Sequence, residues 1–162
     1  SNTCADYGVP VEWMLPNGFR VVNDYRQPRF KTVQTWMGTK YQVSTLASPS
    51  NKLAKRRCAQ TIMANYTHSL DAAICMGTIA RSNVTSYSMV FDSFGTHALH
   101  LHKVKNALMF TVDSIFGGRQ NLLCQMREHL LTLLPDDAEL PEPPIVGDFS
   151  THQVISSRYF AS

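Results

Sequence analysis

Alternating side chains and turn residues predict two antiparallel hairpins in the first third of the chain. Residues 12–25 form the first, because Pro16-Asn17-Gly18 is turn sequence and Asn-Gly tolerates the positive φ angles of tight hairpin turns. Residues 29–36 alternate between two faces, Gly38 marks a second turn, and residues 40–45 return. Such a two-stranded ribbon is marginally stable alone. We therefore expect it to pack on, or project from, a larger body.

Helical periodicity dominates the rest of the chain. Helices are predicted over residues 52–64, 70–80, 98–116 and 119–134. A short last helix, capped by Ser150, follows them. Residues 65–69 are expected to interrupt the first two of these helices or to cap the second. A short buried strand is predicted at residues 86–91, and residues 135–144 form a Pro- and acid-rich connector. The pattern predicts an α+β fold of antiparallel hairpins and helices.

The 98–116 helix carries a strong apolar stripe. The stripe consists of Leu101, Val104, Leu108 and Val112, and Gly117-Gly118 should end the helix.

The chain has 162 residues, of which 44% are apolar, which suffices for one domain spanning residues 1–162. No run approaches the roughly 18 apolar residues of a membrane span. None of the four cysteines forms a C-x-x-C pair, which favours buried free thiols over a zinc knuckle.

Positive charge is concentrated in one stretch, although the net charge is a modest +3. Between Gly18 and Cys58, Asp24 is the sole acid. We call the cations of this stretch the basic block: Arg20, Arg26, Arg29, Lys31, Lys40, Lys52, Lys55, Arg56 and Arg57. Such a block is typical of contact with a polyanion, and equally of a solvated basic face.

Asp92 is the candidate for chemistry. It follows the apolar strand and precedes Ser93-Phe94-Gly95, a tight-turn sequence that would place the carboxylate at the lip of a sheet. Phosphoryl chemistry requires hard oxygen ligands for Mg²⁺, usually with a second carboxylate from elsewhere in the fold. The alternative is a turn aspartate that bonds its own backbone.

Two groups of histidines are further candidates for site residues. His68 and Asp71 are three residues apart at a predicted helix start, where they either cap the helix or place an imidazole against a nucleotide. His97, His100 and His102 suggest metal binding, but His102 lies off the helical face shared by the other two. No cysteine or second carboxylate completes a zinc site nearby in sequence.

Four short motifs, in order, resemble the C-terminal portion of the single-subunit RNA polymerases of bacteriophages and mitochondria. They are Val11-Glu12-Trp13-Met14-Leu15-Pro16-Asn17-Gly18-Phe19 with Tyr25 and Pro28, Asn65-Tyr66-Thr67-His68-Ser69-Leu70-Asp71, Phe91-Asp92-Ser93-Phe94-Gly95-Thr96-His97-Ala98, and the ending Tyr159-Phe160-Ala161-Ser162. Each motif is weak alone, and the ordered set covers nearly the whole chain.

The resemblance implies a partial palm and fingers of the right-hand polymerase fold. Residues from about 19 to 50 would be a specificity-hairpin-like ribbon, 65–116 a palm segment, and 117–162 the C-terminal helices and foot. Asp92 matches a catalytic, Mg²⁺-binding aspartate. The implied nucleic-acid contacts are Arg29, Lys31, Lys40, Tyr41 and His68, and Phe160 and Ser162 match the foot near the active site.

The implied partners are the DNA template and promoter, the RNA product, nucleoside triphosphates and a missing N-terminal polymerase portion, either of the same chain or a separate subunit. The implied location is the cytoplasm of an infected bacterial host, or alternatively a mitochondrion or virion. Two departures matter. Phe91 stands where the family usually has His, and the family's other metal-binding Asp lies outside these residues. The chain is therefore expected to be inactive alone. As a fragment or split subunit, it is also expected to carry on the 98–116 helix an apolar face with no partner in this chain.

Two alternatives remain open from the sequence. One is a non-catalytic nucleic-acid-binding module derived from a polymerase. The other is a DNA polymerase of the related palm superfamily, which typically has an acidic residue after the catalytic Asp; Ser93 favours the RNA enzymes.

Overall fold

Three small antiparallel hairpins and a set of helices make up the fold. The computed structural model describes residues 2–37, 39–46, 48–90, 93–118, 121–157 and 160. In chain order the elements are α1 (Asn2–Asp6), β1 (Val11–Met14), β2 (Arg20–Asn23), β3 (Phe30–Met37), β4 (Thr39–Leu46), α2 (Lys55–Ser82), β5 (Tyr87–Val90), β6 (Ser93–Thr96), a 3₁₀ turn (Ala98–His100), α3 (Leu101–Phe116), α4 (Leu122–Leu133) and α5 (Gln153–Ser156). The predicted α+β class is confirmed.

The first hairpin pairs β1 with β2, from Val11 opposite Asn23 to Met14 opposite Arg20. Its turn matches the prediction, because Gly18 adopts a φ of 87° and the Leu15 amide donates to the Phe19 carbonyl at 2.8 Å. Trp13 is 2% exposed and anchors the hairpin in the main core.

The second hairpin is the predicted ribbon. β3 and β4 pair in register from Phe30 opposite Leu46 to Met37 opposite Thr39. The described side chains of the ribbon are exposed on both faces, including Phe30 and Val33. Its base is tied to the body through main-chain bonds between residues 26–27 and 50–53. The ribbon therefore projects from the body.

Helix α2 is one continuous helix of 28 residues, so the predicted interruption at residues 65–69 is wrong. The polar side chains that suggested a cap bond elsewhere. Asn65 donates to Asn23 Oδ1 and to the Tyr25 hydroxyl, and Ser69 donates to the Tyr66 carbonyl. Because these groups are satisfied without breaking the backbone ladder, the helix continues to Asn83, which caps it with a left-handed φ of 50°.

The third hairpin corrects the predicted buried strand. β5 is exposed at all four positions, because β6 is its sole sheet neighbour among the described strands. Gly95 lies within β6, opposite Ser88, rather than in a turn. Val90 pairs with Ser93, and the two residues between them, Phe91 and Asp92, lie outside the described residues.

The stripe predicted for α3 is partly correct. Val104 is buried, but Leu101 is 56% exposed. Val104, Ala107 and Thr111 are buried on α3, which packs on α2, and Gly77 of α2 lets Thr111 approach closely. Helix α3 therefore has a partner within this chain, contrary to the prediction, and it ends at Gly117 as predicted.

The last two helices begin later than predicted. Helix α4 begins at Leu122, and the Asn121 side chain caps it by accepting from the Leu123 amide at 2.9 Å. Helix α5 begins at Gln153, with His152 rather than Ser150 at the cap position.

A main core joins the first hairpin, α1, α2 and α4. Its buried members are Cys4, Val11, Trp13, Leu15, Ala73, Leu130, Leu134 and Ala138. The expected burial is confirmed for Cys4, Cys58 and Cys75, whereas Cys124 is half-buried. Among the described helices, none is both long and apolar enough to cross a bilayer.

Candidate nucleic-acid interface

The ribbon presents the predicted cations at its base. Arg29 precedes β3 and Lys31 lies within it, and both side chains are exposed. The register pairs Lys40 with Trp36 and Tyr41 with Thr35. The side chains of Lys40 and Tyr41 lie outside what the structure describes. The structure thus brings Arg29 and Lys31 together on one exposed stretch.

A buried asparagine fixes the strand that leads to the ribbon. Asn23 is 2% exposed, and its amide donates to the Cys58 carbonyl at 3.0 Å. Its oxygen accepts from Thr61 at 3.2 Å and from Asn65 at 2.8 Å. A buried polar group with all of these partners is stable in its site, whereas an unpaired one is costly. This network holds β2 against the first half of α2.

The first turn of α2 extends the basic surface of the ribbon base. Lys55, Arg56 and Arg57 are exposed there, and no acid lies in that turn. Lys55 pairs with Asp6, and the Arg57 guanidinium lies 4.8 Å from the centre of the Tyr25 ring. An open groove of about 720 Å³ runs beside them, lined also by Gln27, Gln60 and Thr61. Cations oppose the dipole at a helix N-terminus, so this arrangement is not one that helix stability selects.

These three cations were part of the basic block but were not singled out as site residues. The sequence carried a signal for them, since Lys55-Arg56-Arg57 is the densest run of cations in the chain. Their proximity to Tyr25 and to the ribbon base depends on the packing of α2 against β2, which periodicity alone does not give.

Asp92, the candidate metal ligand, lies outside the described residues. Strand β5 is exposed and β6 alternates between exposed and half-buried positions, and Thr96 donates to the Ser86 carbonyl at 2.9 Å to close the open end of the hairpin. Within the described ranges, no three His, Cys, Asp or Glu residues come together in a group that could hold a metal ion. The described residues therefore do not form a two-metal site by themselves.

The predicted histidine and foot positions have different outcomes. His68 is exposed in the middle of α2, so it does not cap a helix, and the capping interpretation is wrong. His97 and His100 lie near each other beside the 3₁₀ turn, with ring centres 6.4 Å apart. Of the predicted foot, Phe160 is 42% exposed and Ser162 lies outside the described residues.

A buried carboxylate fastens the first hairpin to α4. Glu12 is 7% exposed; it accepts a hydrogen bond from Arg20 and lies 3.0 Å from His129 Nε2. The Arg20 guanidinium, followed by the His129 ring, lowers the pKa of Glu12, while partial burial opposes the shift. Glu12 is thus a structural anion, remote in sequence from the residues predicted to bind nucleic acid.

Comparison with known proteins gives a consistent family. Residues 3–112 match the family model described as DNA-dependent RNA polymerase. The Arabidopsis thaliana protein named DNA-directed RNA polymerase 1, mitochondrial, is 32% identical over 152 residues, which cover 93% of this chain and 15% of that protein. A Nicotiana sylvestris polymerase named chloroplastic/mitochondrial is 30% identical over 155 residues, which cover 93% of this chain and 14% of that protein.

A shorter relative matches along almost its whole length. The Nicotiana tabacum protein named DNA-directed RNA polymerase 1A is 28% identical over 155 residues, which cover 93% of this chain and 94% of that sequence. Against the Arabidopsis polymerase, by contrast, the chain spans about 15% of the relative's length. The family match covers well over half of the chain. The chain belongs to the single-subunit, phage-type DNA-dependent RNA polymerase family and corresponds to its C-terminal portion.

Proposed function

We propose that this chain supplies the palm and fingers portion of a DNA-directed RNA polymerase that carries out template-directed ribonucleotidyl transfer. The observation that carries the proposal is the family match over residues 3–112, which includes both the ribbon and the Asp92 segment. The projecting ribbon supports a role in promoter contact, since a two-stranded β-ribbon fits the major groove of DNA. Its exposed cations, Arg29 and Lys31, suit phosphates or guanine edges.

Asp92 is the proposed catalytic residue and Mg²⁺ ligand. The two-metal mechanism needs a further carboxylate beside Asp92, and the family's other metal-binding Asp lies upstream of the region that these residues resemble. We infer that this ligand comes from polymerase sequence outside the 162 residues, either in the same chain or in a separate subunit. The isolated chain is therefore expected to be inactive.

Reconstitution tests this function. The chain alone should incorporate no nucleotide on a promoter template, and adding the upstream portion of a homologous polymerase should give Mg²⁺-dependent RNA synthesis. Asp92→Asn should reduce synthesis to background. The matched control is Asp148→Asn, which alters an exposed loop carboxylate and should leave synthesis unchanged. Robust RNA synthesis by the Asp92→Asn enzyme would contradict the assignment of Asp92 as the catalytic Mg²⁺ ligand.

A second candidate is a non-catalytic nucleic-acid-binding module. Phe91 in place of the family's usual His favours it, because a hydrogen-bonding ring is lost beside the proposed ligand. In this case duplex binding depends steeply on salt and is indifferent to Mg²⁺ and to Asp92. A Mg²⁺ titration of duplex affinity, with and without Asp92→Asn, separates the two functions.

For location, we propose an organelle rather than the cytoplasm of an infected bacterium. The support is that the plant relatives are named as mitochondrial or chloroplastic. Cofractionation of the native protein with an organelle marker tests this, and recovery from phage-infected bacterial cytoplasm would contradict it.

A further inference from the structure

A second groove lies at the far end of α2 from the ribbon base. It has a volume of about 290 Å³ and is lined by Arg81 and Ser82 of α2 and by Lys103, Asn106, Ala107 and Phe110 of α3. Because α2 has 28 residues, a rise of about 1.5 Å per residue puts this groove roughly 40 Å from the basic start of the helix. It is therefore a separate surface from the ribbon.

The groove is built from one face of α3. Lys103, Asn106 and Phe110 follow one another at helical spacing, and all three are exposed. The floor is inert, because Ala107 is buried and the Ser82 hydroxyl already donates to the Ile79 carbonyl at 2.9 Å. Any ligand would therefore contact the exposed side chains on the walls.

Two cations of the groove differ in how the fold accounts for them. Among the described residues, neither Arg81 nor Lys103 makes an ion pair, and none of the residues that line the groove is acidic. The position of Arg81 is explained by the α2 dipole, since a cation is favoured in the last turn of a helix. Lys103 has no such explanation, because it lies in the first turn of α3, where a cation opposes the dipole. An anionic ligand would stabilise both.

An aromatic ring lies beside these cations. Phe110 is 46% exposed, although it is large and apolar. Cations beside an exposed ring are the combination that binds single-stranded nucleic acid, in which phosphates meet the cations and an unstacked base lies on the ring. A duplex would use the cations but leave the ring without a base, since duplex bases are already stacked.

We propose that the Arg81–Lys103–Phe110 groove binds single-stranded nucleic acid, with phosphate at Arg81 and Lys103 and a base stacked on Phe110. This nucleic-acid contact is additional to those proposed for the ribbon and for Asp92, and neither the ribbon nor Asp92 takes part in it. The chemistry is shared by RNA and DNA strands, so the test includes both.

Fluorescence anisotropy of the full 162-residue chain with a short labelled single strand tests the groove. Lys103→Ala and Arg81→Ala should each weaken binding several-fold and reduce the salt slope by about 0.7. Phe110→Leu should weaken binding about tenfold and leave the salt slope unchanged, because stacking is lost while charge is kept. Lys105→Ala is the control for general charge on α3, since it removes a cation outside the groove lining; unlike Lys103, Lys105 is half-buried and has an interaction partner of its own.

Thermal unfolding establishes that each variant is folded before it is measured. Equal weakening by Lys105→Ala and Lys103→Ala would overturn the proposal, because the effect would then be general electrostatics. Unaltered single-strand affinity in Phe110→Leu would overturn it as well. If the groove variants lose affinity for only one of the two strands, RNA or DNA, the result supports the proposal and identifies the strand that the groove binds. None of these measurements depends on nucleotide incorporation. If the groove proves not to bind a single strand, the test of Asp92 is therefore unaffected.

Discussion

Glu12 illustrates at the scale of single residues how a buried charge couples stability to pH. Its pKa is lowered in the folded protein, chiefly by Arg20. A lowered carboxylate pKa contributes stability that is present above the unfolded pKa and is lost as pH falls through the folded one. We predict that Glu12→Gln lowers the free energy of unfolding at neutral pH and that the difference from wild type shrinks on acidification. Urea unfolding across that pH range measures it.

The control for this prediction is Glu139→Gln, which alters an exposed carboxylate in the connector after α4. It should retain the wild-type dependence of stability on pH. If Glu12→Gln and wild type lost stability in parallel on acidification, the proposed role of the Glu12 carboxylate would be wrong.

Residues whose roles are local were predictable, and residues whose partners are distant were not. Gly18 allows the turn of the first hairpin for a local backbone reason, its positive φ, and this matches the prediction. The two partners of Glu12 lie 8 and 117 residues away, so its strand pattern gave no sign of them. Arg29 and Lys31 were predictable as exposed cations, because a hairpin ribbon leaves both of its faces open.

Among the secondary-structure elements, α2 shows why local sequence signals did not predict the length of a helix. Asn65 and Ser69 have the chemistry of caps, and they predicted a break. The structure shows instead that Asn65 bonds β2 and that Trp13 of β1 donates to Ser69 at 3.0 Å. Tertiary partners of this kind cannot be inferred from residue spacing in the sequence. The sequence therefore predicted that this region is helical, but not that α2 continues without a break.

The crossing of α2 and α3 depends on one glycine. A Cβ placed at Gly77 would lie 2.7 Å from Thr111 Cγ2, and Thr111 is buried and β-branched. We predict that Gly77→Ala destabilises the fold by about 1 kcal/mol, because an overpacking cost of about 2 kcal/mol exceeds the helix-propensity gain of about 1 kcal/mol. Urea unfolding measures the change.

Two further variants sharpen this prediction. Gly147→Ala adds the same methyl where nothing lies within 4 Å, and it should change stability by less than about 0.5 kcal/mol. Adding Thr111→Ser removes the opposing methyl, so the Gly77→Ala/Thr111→Ser double variant should show favourable coupling of about 1 kcal/mol. Purely additive effects would show that the contact does not limit the crossing.

For the molecule as a whole, α2 acts as a spine on which α1, the first hairpin and α3 pack. The ribbon is attached near the start of α2, and the Arg81–Lys103–Phe110 groove lies near the end of α2. The core is formed by helices and by the first hairpin, whereas the exposed cations lie at the periphery. This division between a packed body and charged extensions implies that the body tolerates loss of an extension.

Removing the ribbon tests that division. Phe30 and Leu46 face each other at its base, so residues 31–45 can be replaced by an Asn-Gly turn. Because no other described element packs extensively on β3 or β4, the melting temperature should change by less than about 4 °C. Duplex DNA binding should weaken, and its salt slope should fall by about 1.8 because Lys31 and Lys40 are lost. Single-strand binding at the groove should persist. A large drop in melting temperature would show that the ribbon belongs to the body, and an unchanged salt slope would show that it does not contact DNA.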